Sequence, residues 1–128
     1  MHLIIGGAYM GKLTFVKEIY GFAKEQICDC AAAAPDFSRP CITHVEEFVL
    51  DCVRRGEDPV EYFRRHRQQW RSSVLICRDI SGGIVPMDPQ HRQWRAQTGR
   101  LCQYLSREAD HVSRIFCGLE QRLKRPFF

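Results

Sequence analysis

Apolar positions along the chain fall into short continuous runs that alternate with stripes spaced by three and four. Leu3-Ile4-Ile5 is such a run and ends in Gly6-Gly7, the pattern of a buried strand entering a tight turn. From Lys12 to Lys24, Phe15, Val16, Ile19, Tyr20 and Ala23 recur at helical spacing, which predicts an amphipathic helix over that span. Gln26 to Cys30 reads as a second short strand. Ala31 to Pro40, with four alanines, two prolines and a serine, reads as a loop.

Two readings compete between Ile42 and Val53. Phe48-Val49-Leu50-Asp51-Cys52 has the run of a strand, whereas Val45, Phe48, Val49, Cys52 and Val53 share one helical stripe. Gly56 supplies a stop and favours the helix. Asp58-Pro59-Val60-Glu61 then combines an N-cap, a proline at the first helical position and a capping-box acid, opening a helix expected to run through Trp70. Ser73-Val74-Leu75-Ile76-Cys77 is a strand covered on both faces; it ends in Arg78-Asp79 and a loop from Ile80 to Pro86. Asp88-Pro89 opens a long helix whose buried stripe is Trp94, Thr98, Leu101, Cys102, Leu105 and Ala109. Val112 to Cys117 is the last strand expected, and Gly118 to Phe128 a polar end with an aromatic tip. Strands alternating with helices predict an α/β domain with a mostly parallel sheet.

The length of 128 residues fits a single domain spanning 1–128, and 45% apolar with 27% charged residues is a globular mixture. No run approaches the ~18 consecutive apolar residues of a membrane-spanning helix, so no membrane span is expected. The start lacks a basic segment before its glycines, which points to a cytoplasmic protein without a secretory signal. A net charge of +4 suits anionic ligands but does not by itself imply nucleic acid. The basic stretch Arg64 to Arg71 adjoins Glu57, Asp58 and Glu61 and reads as a solvated helix face, so no nucleic-acid partner is expected. Seven cysteines, an odd number without a CxxC, read as reduced thiols packed as small hydrophobes, with a zinc site as the weaker alternative.

The chemistry concentrates at Gly6-Gly7-Ala8-Tyr9-Met10-Gly11-Lys12, a GxxxxGK pattern after a predicted strand and before a predicted helix. Closely spaced backbone N–H groups cradle a phosphate chain only where side chains do not obstruct it, which glycines allow. Lys12 adds a point charge for the β and γ phosphates. Leu13 stands where a full phosphate loop has the Ser or Thr that helps hold magnesium. Thr14 lies roughly 100° further around the helix. Asp79, at the carboxyl end of a strand, is placed to bind magnesium or accept a proton, or else caps a helix or orders its own loop. Arg92, Arg95 and Arg100, on the next helix, lie near the same loop or pair with surface acids.

At these residues the sequence resembles the adenosylcobinamide kinase / adenosylcobinamide-phosphate guanylyltransferase family of cobalamin biosynthesis. The family's opening is similar to Gly6-Gly7-Ala8 with Gly11-Lys12. Its Asn-Glu-Val-Gly-x-Gly-Ile-Val-Pro stretch is similar to Arg78-Asp79-Ile80-Ser81-Gly82-Gly83-Ile84-Val85-Pro86. Its following Arg-x-Phe-Arg-Asp-x-x-Gly-x-x-Asn-Gln helix is similar to the stretch from Arg92 to Gln103, and Ala109-Asp110 and Gly118-Leu119 also fit. The match covers roughly residues 1–25 and 74–124. Leu13 replaces the family's serine, Asp79 its glutamate and Cys102 its asparagine. The resemblance implies a three-layer α/β domain like that of P-loop NTPases. It further implies ATP or GTP bound at Gly6 to Leu13 with Mg²⁺, and phosphoryl transfer to a cobinamide hydroxyl. Lys12 and Asp79 would be the catalytic residues, Gly83, Arg92 and Arg95 would border the substrate, and the protein would form a homo-oligomer. The family carries a guanylyl group on a histidine after its second strand, and His44 is the histidine nearest that place; the alternative is a surface or helix-start histidine. A nucleotide-binding or assembly protein that kept the fold without the chemistry is the alternative.

Overall fold

A computed structural model describes residues 1–81 and 87–126. Six strands form one sheet: β1 (His2–Gly6), β2 (Ile27–Asp29), β3 (Cys41–Thr43), β4 (Val74–Arg78), β5 (His111–Phe116) and β6 (Leu119–Lys124), in the order β2-β3-β4-β1-β5-β6. All neighbours are parallel except β5 and β6. The helices are α1 (Lys12–Tyr20), α2 (Val45–Arg55), α3 (Pro59–Arg65), α4 (Arg67–Trp70) and α5 (Pro89–Glu108), with a 3-10 turn at Lys24–Gln26. The expected α/β architecture with a mostly parallel sheet is present.

Strand alternation divides the core between the two faces of the sheet. Leu3, Leu75, Cys77 and Val112 point to a layer formed by α2, α3, α4 and α5, where Phe48, Phe63, Trp70 and Leu101 are buried. Ile4, Ile76, Cys41 and Ile115 point the other way, where Val16 of α1 packs with half-buried Leu13. Buried indoles keep their N–H groups bonded: Trp70 Nε1 donates to Phe63 O at 2.7 Å and Trp94 Nε1 to Glu46 O at 2.7 Å.

Between Ile42 and Val53 the helix holds, with Gly56 closing α2 in the left-handed conformation. Asp58 caps α3 by accepting from Val60 N and Glu61 N, and Asp88 caps α5 by accepting from Gln90 N, as the sequence predicts. Four expectations need correction. The first helix stops at Tyr20 rather than Lys24, because Gly21 (φ 67°) turns the chain left-handed and donates to Lys17 O. The helix expected through Trp70 breaks at His66, whose ring Nδ1 hydrogen-bonds Tyr62 O. Cys41–Thr43 is a strand that was not expected; three residues are too few to show alternation. The segment after Gly118 is not a simple polar end: it pairs with β5 as β6 through a turn with Cys117 (φ 51°) and Gly118 (φ 77°) both left-handed, as in a type I′ hairpin.

Candidate functional site

The segment from Gly6 to Lys12 connects the carboxyl end of β1 to the first turn of α1. Its path is fixed by two left-handed positions, Tyr9 (φ 59°) and Gly11 (φ 92°). Neighbouring strands brace it from both sides. Asp79 N donates to Gly6 O at 2.8 Å, and Gly118 N donates to Met10 O at 2.9 Å. Gly6 has a second reason to be glycine: a Cβ there would sit 2.6 Å from Ile115 O. Gly7, Ala8 and Met10 complete a loop whose Tyr9 side chain is fully exposed.

Lys12 turns back over this loop and donates from Nζ to Gly7 O at 2.6 Å. Partial burial lowers its pKa below the ordinary lysine value, with Glu46 pulling in the opposite direction and Arg78 adding to the lowering. Lys12 lines a cleft of about 200 Å³. Gly11, Lys12 and Thr14 line one side of that cleft, and Thr43, His44 and Glu46 the other. Leu13 also lines it and, with Thr43, borders a larger cavity of about 580 Å³ rimmed by Lys17, Lys24 and Arg39.

His44 stands at the junction of β3 and α2 with φ 56°, a rare conformation for a residue with a side chain. Its Nδ1–H donates to Asp29 Oδ1, at the end of β2, over 2.7 Å. In a neutral imidazole so held, the lone pair is on Nε2.

Glu46 is the residue the sequence reading missed. It lies in the first turn of α2 yet is fully buried, and Oε1 accepts from Arg78 N at 2.8 Å. Its Oε2 is buried with no hydrogen-bond partner. The available signal was its spacing: Glu46, Val49 and Val53 fall at steps of three and four beside the apolar stripe.

Asp79 touches the loop through its backbone, but its side chain lines a different cavity. Its Oδ1 accepts from Ser81 N at 2.9 Å and Ser81 Oγ at 2.5 Å, closing a local turn, and these bonds lower its pKa so that it is ionised. That cavity, of about 200 Å³, is also lined by Cys77, Arg95, Thr98 and Cys102. The structure therefore brings Lys12 and His44 into one cleft and leaves Asp79 outside it. Arg95 donates to Ser81 O and belongs to the Asp79 cavity; Arg92 donates to Met87 O at 3.1 Å. Arg100 pairs with Asp58 at 2.7 Å. Gly83 lies outside the described residues.

The basic stretch is largely paired. Arg64 meets Glu61 and stacks over Tyr104, Arg65 stacks over Tyr62, and Arg67 meets Glu108 at 2.7 Å. All seven cysteines are free thiols. Among the described residues no group of three or more His, Cys, Asp and Glu side chains is arranged to hold a metal, and no helix is long and apolar enough to cross a membrane. Compared with protein-family models and with curated proteins, the chain matches none.

Proposed function

We propose that the chain binds ATP or GTP on the Gly6–Lys12 loop and transfers the γ-phosphoryl group to a hydroxyl, as an adenosylcobinamide-kinase-type enzyme. One observation carries the reading: Lys12, the first residue of α1, reaches back 2.6 Å to the carbonyl of Gly7 across a glycine loop that leaves the carboxyl end of β1. That is the loop, helix start and cation that a polyphosphate needs in one place. On this reading the domain is a three-layer fold of the P-loop NTPase type.

The chemistry assigned to the chain is positioning and charge stabilisation. Loop N–H groups hold the phosphate oxygens, and Lys12 exchanges Gly7 O for the charge that develops on the transferred group. Mg²⁺, when bound, neutralises and orients the phosphates. The larger cavity beside Leu13 and Thr43 offers room for the arm of the acceptor that carries the hydroxyl, and its lining is of mixed charge, with Lys17, Lys24 and Arg39 beside Asp29 and Asp36. Asp79, outside the cleft, acts through the loop it orders. His44, oriented by Asp29, is the group that fits a guanylyl carrier. A second reading, a nucleotide-binding protein without transfer, is favoured by Leu13, which packs against the core and offers no ligand oxygen.

Titration calorimetry with ATP and GTP tests the binding step. Binding of at least one nucleotide is expected, and Lys12→Ala should weaken it by roughly 10- to 100-fold, the loss of one or two charge-assisted hydrogen bonds. Absence of binding for both nucleotides at millimolar concentration overturns the proposal. Binding without phosphoryl transfer to cobinamide selects the second reading.

A further inference from the structure

We infer that Glu46 is the protein's ligand for a divalent cation of the Mg²⁺ class at the phosphate end of the cleft, an inference that rests on the nucleotide reading above. The observation is a fully buried glutamate with one oxygen fixed and the other unmatched. Arg78 N–H occupies Oε1 at 2.8 Å, whereas Oε2 has no donor. A buried carboxylate oxygen without a partner carries a large desolvation cost, and a hard cation removes it.

The surroundings agree with this role. Glu46 forms part of the same cleft wall as Lys12, and the hydroxyl-bearing Thr14 and Thr43 line that cleft too. Leu13, at the helix position where a hydroxyl would otherwise meet the metal, supplies no oxygen. The backbone also rigidifies the residue: its carbonyl accepts Trp94 Nε1 at 2.7 Å, tying the start of α2 to α5. Lys12 feels the carboxylate electrostatically, so both groups act on the same end of the cleft.

The cation class follows from the number of ligands. No cluster of three or more metal-binding side chains exists among the described residues, so these side chains do not form a complete cage for an ion. Mg²⁺ is commonly held by one or two carboxylates with water and substrate phosphates as the remaining ligands. Glu46 with a bound triphosphate matches that division. Asp79, whose Oδ1 already closes the Ser81 turn, lines another cavity.

The test separates metal binding from nucleotide binding. Calorimetry would measure ATP affinity with and without Mg²⁺ for the wild type and for Glu46→Gln, which keeps the shape and the acceptor for Arg78 N. The wild type should bind ATP at least tenfold tighter with Mg²⁺. Glu46→Gln removes a negative charge beside Lys12, so it should bind metal-free ATP at least as tightly as the wild type and lose the Mg²⁺ enhancement. A second measurement needs no variant: with ¹³C-labelled glutamate, Mn²⁺ should broaden one carboxylate signal strongly when ATP is present and only weakly without it. An undiminished Mg²⁺ enhancement in Glu46→Gln, or no carboxylate broadened by Mn²⁺ with ATP, overturns the inference and leaves the nucleotide reading standing. Failure of the wild type to bind any nucleotide overturns both.

Discussion

Lowering the pH from 6.5 to 5 should destabilise this protein through one buried histidine. His2 is 6% exposed and joins three elements by hydrogen bonds. Ser113 Oγ donates to Glu120 Oε2 at 2.5 Å, so it accepts from His2 Nε2–H at 2.8 Å. The other nitrogen, Nδ1, then accepts from Tyr20 Oη–H at 2.7 Å. Each bond in this relay is satisfied by a neutral ring. Burial lowers the pKa of His2 to about 4, helped by the nearby charges of Arg122 and His111 and opposed by Glu120. The unfolded chain therefore binds more protons than the folded one between pH 4 and 6.5, and stability rises with pH across that window. At pH 5 the cost relative to neutral pH is about 2 kcal/mol, from a folded value near 4 and a free histidine near 6.5. For a chain of this length that lowers Tm by about 7 °C. Thermal melts of wild type and His2→Gln at pH 7, 6 and 5 provide the assay. The variant has a different Tm at pH 7, but its slope with pH should be smaller. Equal slopes would refute the reasoning, because other groups would then supply the whole effect.

Two further predictions concern the loop and the thiols. Leu13→Ser returns a hydroxyl to the first turn of α1 and should increase the Mg²⁺ dependence of ATP binding by calorimetry; an unchanged response would exclude this helix position as a metal site. The same change removes a half-buried side chain from the core around Val16 and should cost about 1–2 kcal/mol in denaturant unfolding. Among the cysteines, iodoacetamide should label exposed Cys117 first, and then Cys102, whose thiol is lowered by its hydrogen bond with Cys77, 3.6 Å away. Burial pushes Cys41 up to about 12 and Cys52 to about 11, so these two should stay unlabelled at neutral pH until the protein unfolds. Mass analysis after timed labelling reads the order, and labelling of Cys41 as fast as Cys102 would contradict it.

Local chemistry was legible in the sequence where it is strong and contiguous. The stripe Val45, Phe48, Val49, Cys52 gave α2, and the Asp-Pro pairs at 58–59 and 88–89 gave two helix starts to the residue. Gly21 was the helix stop in plain view, but helical spacing continued to Ala23 and masked it. The strand β6 could not be read because all its side chains but one are exposed, so no buried alternation marks its pairing with β5. The loop from Gly6 to Lys12 was legible as a pattern, and His44 as the nearest histidine. Glu46 was not: a glutamate at a helix start is ordinarily a solvated charge near the dipole, and only the fold shows it buried, with Trp94 Nε1 on its carbonyl and Arg78 N on its carboxylate.

The separation of Asp79 from Lys12 follows from strand alternation combined with strand order. Gly6 of β1 is level with Arg78 of β4, so Asp79 continues the strand that lies directly beside the loop. Adjacent strands do not, however, imply a shared face. Cys77 points to the α5 side of the sheet, and Asp79, two residues on, lines the cavity on that same side with Cys102. Cys41 points to the α1 side, and Thr43, two residues on, opens into the cleft where Lys12 lies. The more distant strand β3 thus supplies the residues opposite Lys12, and the neighbouring strand β4 supplies a second cavity behind it. Strand order adds the reason why a ligand should gather there at all. From β1 the chain crosses to the β2 edge and returns through β3 and β4; it then passes to β5 on the other side of β1. The connections leaving the sheet diverge at β1, and crevices at the carboxyl ends of strands form where such connections part. This topological argument uses neither the glycines nor Lys12, yet it selects the same end of the same strand. A loop placed there by sequence pattern and by topology independently is therefore the first place to look for a bound anion.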